Sequence, residues 1–307
     1  MKSNPQPRPV HAIDAIAEAH RSTWSWLLDS GLVTRAATRE RLERDCPAWC
    51  AAIRYPHTDG ISLATQSRYV AWTFALDEEL THGESARDPA TCRATVEAIL
   101  ANRCDRASAN PLATAWGNLW QDLSSGRSND WRSTFTTGMT TWLWDAYSTV
   151  VANRSARGAR CIRSHSPVYQ INLVDLCEVN DDHDVLTEIR TLPSFIRLRT
   201  SAATYLQLLN HRRFLDHSRY PESNSSDITD PYEVPPSHPI SSLGSTIGVC
   251  MREIYLAREA LPKDLAVIPV PETQWITSLV AADNIANLAI GNLYYYFNFQ
   301  VGIDQRR

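Results

Sequence analysis

The chain has 307 residues, 43% of them hydrophobic and 21% charged, enough to bury a large core as one big domain or two small ones. A formal net charge of −4 argues against the basic face that nucleic-acid binding needs, and 11 glycines against 10 tryptophans disfavour a glycine-loop nucleotide fold. Neither GxGxxG nor GxxxxGK[ST] occurs, so a phosphate would have to be held by a metal or by arginines.

Residues 1–10, MKSNPQPRPV, read as a disordered tail, because prolines stand where a secretory segment would need an apolar run. Residues 11–307 read as a single helical domain. Apolar residues recur at helical spacing from Ala12 to Leu32, with Gly31 as the stop. A second helix is expected over Thr38–Arg54, then a turn from Tyr55-Pro56 through Asp59-Gly60. Ile61 opens a third helix, and helical periodicity returns over 88–104, 111–124 and 129–156. The pattern weakens between Ser164 and Thr191, recovers over Ser194–Leu209, and yields to a Pro/Ser/Asp-rich stretch over 216–247. Irregular insertions are therefore expected near 160–190 and 216–247. Two helices close the chain, about Val249–Ala260 and Glu272–Phe299. No stretch alternates with period two between hairpin turns, so the fold class is all-α.

Seven cysteines, scattered and odd in number, include no CxxC pair, which argues for reduced buried thiols and against zinc. No run approaches the ~20 apolar residues of a membrane span. The expectation is a cytoplasmic, soluble protein.

The most informative stretch is YVAWTFALDEELTHGE, Tyr69–Glu84. An apolar, aromatic run ends in three consecutive acids, Asp77, Glu78 and Glu79. Unpaired carboxylates cannot be left in an apolar site, so the acids either face water at the helix end or hold a cation at the mouth of an apolar cavity.

Five segments carry a resemblance in the same order. They are TWSWLLDSGLV (Thr23–Val33), YPHTDGISLATQSRYVAWTFALDEE (Tyr55–Glu79), WRSTFTTGMTTWLWDAYSTVVANRSARG (Trp131–Gly158), LPSFIRLRTSAA (Leu192–Ala203) and WITSLVAADNIANLAIGNLYYYFNFQ (Trp275–Gln300). Together they resemble the class I terpene synthases. The resemblance implies a helical bundle around an apolar active-site cavity. It also implies an allylic isoprenyl diphosphate substrate, farnesyl diphosphate first, whose diphosphate is drawn off with Mg²⁺ to leave a carbocation that cyclises to a sesquiterpene. Mg²⁺ takes hard oxygen ligands, and Asp77 falls on the family's metal-bridging aspartate with Glu78 beside it. Arg199 falls on the arginine that senses diphosphate, and Trp72 and Phe74 are placed either to line the pocket or in the plain core.

The sequence also departs from the family. Thr81 stands where a further aspartate is usual. The second metal motif has no carboxylate in either register: one places Gly291, Tyr295 and Phe299, and the other places Asn292, Tyr296 and Gln300. The second register keeps oxygens on one helix face and makes Asn292 the candidate ligand. The family's later helices and Arg-Tyr pair are expected to be missing after Arg307. Asn180, Asp184 and Glu188 share the same spacing but precede Arg199, and read as a solvated acidic loop with His183 on the surface. The alternative to a synthase is a diverged homologue that keeps the fold without catalysis and binds an isoprenoid or a protein partner.

Overall fold

A computed structural model describes residues 13–56, 61–101, 109–155, 167–180, 183–219 and 240–295. The first helix, α1 (Ile13–Asp29), stops at Gly31, whose φ of +66° is the left-handed conformation glycine adopts most readily. The next segment corrects the sequence expectation. Thr38–Arg54 is two helices, α2 (Ala36–Asp45) and α3 (Pro47–Arg54), broken at Cys46 with φ +39°. Pro47 has no N–H to donate, and its ring would clash with the carbonyl four residues back. It is tolerated only as the first residue of a new helix.

Ser62 starts α4 (Leu63–His82) by accepting the Thr65 N–H at 3.1 Å. The short α5 (Glu84–Arg87) and α6 (Pro89–Ala101) follow. Asn110 then caps α7 (Pro111–Ser124) by accepting the N–H groups of Leu112 and Ala113 at 2.9 and 3.3 Å. After α8 (Asn129–Ser155) comes a segment with more structure than its weak pattern suggests. It contains α9 (Pro167–Asp175), a 3-10 turn over Leu176–Glu178, a two-residue antiparallel bridge of β1 (Val179–Asn180) with β2 (His183–Asp184), and α10 (Thr187–Arg190). The expected insertion over 216–247 also shrinks. α11 (Pro193–Arg219) runs into it from one side and α12 (Ile240–Leu265) begins inside it, while residues 220–239 lie outside the described part. The last described helix is α13 (Glu272–Tyr295). The tail at 1–10 also lies outside the described residues.

α4 is the axis of the N-terminal half, packed by α1, α3, α5 and α7. Its interior face is aromatic. Trp72 sits 4.8 Å from Trp116, Trp116 stacks on Trp120 at 5.9 Å, and Trp120 stacks on Trp131 at 6.2 Å, so indoles run unbroken from α4 through α7 to α8. The C-terminal half is built on α11, which α9, α12 and α13 cover. α13 joins the halves by packing on α3. There the backbones nearly touch, since a Cβ on Gly291 would lie 2.1 Å from the Ile53 carbonyl oxygen. Gly291→Ala should therefore force the two helices apart and destabilise the fold by about 1–3 kcal/mol, read as a lowered urea midpoint at unchanged m-value. No described helix is long and apolar enough to cross a membrane.

Candidate active site

The acids at the end of α4 are not solvated. Asp77 is 4% exposed and Glu78 6%, which desolvates both carboxylates at the edge of the core. What compensates them is Arg41 of α2. Its Nη2 donates to Asp77 Oδ2 at 2.9 Å and its Nη1 to Glu78 Oε2 at 2.8 Å, while Nε lies 3.7 Å from Asp45. Burial works against the Arg41 charge, but Asp77, Asp45 and Glu78 outweigh it and hold its pKa above the ordinary arginine value. Burial likewise pushes the Asp77 carboxyl up, with Arg41 opposing.

Glu79 is set apart from this pair. It meets Arg35 at 3.0 Å and folds back over Gly83, where any side chain would collide with it, to accept the Ser85 N–H at 2.9 Å. The C-terminal end of α13 fixes the α2–α3 corner, because the Tyr295 hydroxyl donates to the Asp45 carbonyl at 2.7 Å.

The donor chemistry suits Mg²⁺: two adjacent carboxylates, both hard oxygen donors. Among the described residues no group of three or more His, Cys, Asp and Glu side chains could hold a metal. An ion here would therefore take Asp77 and Glu78, with water and phosphate oxygens completing its shell.

Arg199 belongs to a second acidic cluster. It donates from Nη2 to Asp175 and pairs through Nε with Glu178, and Arg190 holds Glu178 from another side at 2.8 Å. Asp175 is 1% exposed and Glu178 fully buried. Burial and the neighbouring Glu178 push Asp175 up to about 7, against the pull of Arg199 and Arg190. The Trp131 indole donates to the Asp175 carbonyl at 3.0 Å, so this cluster adjoins the far end of the indole run that starts at Trp72. Arg199 thus ties α11 to the end of α9.

The remaining candidates Trp72, Phe74 and Asn292 are buried. Trp72 is wholly buried, with its N–H on the Leu112 carbonyl at 3.0 Å, and shows no surface to a cavity. Phe74 is 4% exposed and lies beneath the Arg41 guanidinium, 5.8 Å from the ring centre. It supports the acid pair from below. Asn292 sits on α13, which packs on α3 rather than α4, and its amide donates to the Leu288 carbonyl at 2.8 Å. Tyr296, Phe299 and Gln300, with the side chains of Asn180 and His183, lie outside the described residues. Asp184 corrects the solvated-loop reading, since it is buried, accepts the Ser128 N–H at 2.5 Å at the start of α8 and pairs with Arg127 at 3.4 Å. Glu188 is exposed.

A cleft of about 550 Å³ lies along α8, lined by Trp120, Arg132, Ser133, Thr136, Thr137, Thr140 and Thr141. Its wall is rich in hydroxyls. Thr137, Thr140 and Thr141 there donate to carbonyls one turn back at 2.8–2.9 Å.

No protein-family model matches the chain. Among curated proteins it is 26% identical over 210 residues to the (2Z,6E)-hedycaryol synthase of Kitasatospora setae, covering 66% of this chain and 62% of that one. It is 27% identical over 128 residues to the R-linalool synthase of Streptomyces clavuligerus, covering 41% and 39%. The matched regions thus span less than two thirds of both relatives. Among solved structures it superposes on α-eudesmol synthase with a TM-score of 0.74 at 17% identity, covering 97% of this chain and 99% of that one. It also superposes on the linalool/nerolidol synthase of Streptomyces clavuligerus in complex with 2-fluorogeranyl diphosphate, with a TM-score of 0.70 at 18% identity over 92% and 98%.

Proposed function

We propose, from its fold and its curated relatives, that the chain acts as a class I terpene synthase that ionises an allylic isoprenyl diphosphate, farnesyl diphosphate foremost, and cyclises the carbocation to a sesquiterpene. The observation that carries the reading is the buried Asp77–Glu78 pair ending the aromatic helix α4. A solved neighbour in complex with a fluorinated geranyl diphosphate supports the substrate class. Asp77 and Glu78 are the residues to hold Mg²⁺. Bound there, the ion supplies Lewis-acid stabilisation of the departing diphosphate. Phe74 and the tight packing around α4 keep water from the carboxylates, which strengthens their hold on any cation. A cytoplasmic setting is part of the same proposal.

The test is incubation of purified protein with geranyl, farnesyl and geranylgeranyl diphosphates and Mg²⁺, with products read by gas chromatography and mass spectrometry. A sesquiterpene from the farnesyl substrate is expected. No product from any of the three, with the protein folded, defeats the proposal. One observation favours the second reading, a non-catalytic homologue: a protein cation already sits on the acid pair. Diphosphate binding that ignores Mg²⁺ would select that reading.

A further inference from the structure

We propose that Arg41 is an internal cation that closes the Asp77–Glu78 pair to divalent metal, so that loading the site requires α2 to release it. The inference rests on the metal reading of that pair. Arg41 reaches each carboxylate with a separate nitrogen, at 2.9 and 2.8 Å, which is the pattern of a forked clamp rather than a grazing surface contact. Its side chain is 11% exposed and those of its partners 4% and 8%, so little water screens the contact.

Charge makes the two occupants exclusive. The pair carries two negative charges and Arg41 returns one. A divalent ion on the same oxygens would face a guanidinium within contact distance in a dry site, where like charges repel most strongly.

The fold offers a way to separate them. α2 is a ten-residue helix of charged sequence, AATRERLERD, gripping the end of α4 through Arg35 on Glu79 as well as Arg41. It turns into α3 at Cys46, a non-glycine residue held at φ +39°. A shift of α2 about that corner would withdraw both arginines together. Diphosphate favours the shift, because a released Arg41 gains phosphate oxygens as new partners. Metal and diphosphate are then expected to load together, with metal alone binding weakly.

The experiment titrates Mn²⁺ without diphosphate into the full chain and reads free ion by electron paramagnetic resonance. The proteins are the parent, Arg41→Gln, Arg41→Lys and Asp77→Asn, each checked for folding by circular dichroism. Arg41→Gln should bind Mn²⁺ at least about tenfold more tightly than the parent, the scale of a broken buried charge contact. Arg41→Lys, whose single ammonium cannot fork to both carboxylates, should tighten binding less and serves as the readout if the glutamine variant does not fold. An affinity unchanged or weakened in the folded arginine variants, while Asp77→Asn abolishes binding, overturns the proposal and leaves the metal reading standing. Mn²⁺ binding that survives Asp77→Asn overturns the metal reading itself, and this inference with it.

Discussion

Arg199→Ala is expected to destabilise the fold by about 3–5 kcal/mol, the usual consequence of removing one partner from a buried ion cluster. Arg199 lies on Asp175 and Glu178, both essentially without solvent contact, and joins α11 to the end of α9. Without it, two buried carboxylates share the single guanidinium of Arg190. The sign of the pH dependence follows from Asp175, whose carboxyl burial pushes up to about 7. Removing Arg199 takes away a group that pulls it down, so the carboxyl rises further; at pH 6 it is protonated with or without Arg199, whereas at pH 8.5 the parent ionises it against Arg199 and the variant loses that pairing. The loss measured by urea unfolding should therefore be larger at pH 8.5 than at pH 6. A loss under about 1 kcal/mol, joined to a collapse of diphosphate binding, would return Arg199 to the substrate site.

Asp77→Asn is expected to lower turnover about a thousandfold or more while leaving the protein folded. On the proposed reading Asp77 is a metal ligand, whose loss removes several kcal/mol of transition-state stabilisation, and each 1.36 kcal/mol is a factor of ten. The amide keeps the shape of the side chain, and Arg41 keeps Glu78 at 2.8 Å. The thermal midpoint should therefore move little compared with activity, which separates a site residue from a structural one.

The helices whose apolar faces repeat cleanly were legible from sequence, and 111–124 coincides with α7. The acid tip of α4 was legible for the same reason, as three carboxylates at the end of a buried run have few places to go. What was not legible depends on partners distant in the chain. Arg41 lies more than thirty residues before the acids it clamps, and only the fold brings them together. Asp175, Glu178 and Asp184 are buried charges, so they break the very periodicity that marks a core segment, and 160–190 read as irregular on that account. Arg199 was placed by resemblance alone, and its pairing with Asp175 and Glu178 depends on the fold. The register that placed Asn292 rested on oxygens sharing one helix face, and spacing within one helix does not reveal the close approach of α13 to α3 at Gly291. The break at Pro47 could have been read, since a proline in that register ends a helix whatever the tertiary context.

On the proposed reading the acid pair is the centre of the site, with Arg41 on it, while Arg199 pairs with Asp175 and Glu178. The most direct measurement is terpene and inorganic pyrophosphate release from farnesyl diphosphate by the parent and Asp77→Asn, each with Mg²⁺ and with Mg²⁺ removed by chelation. Both products should form only in the parent with Mg²⁺ present. Product formation that persists in Asp77→Asn, or after chelation, would contradict the account.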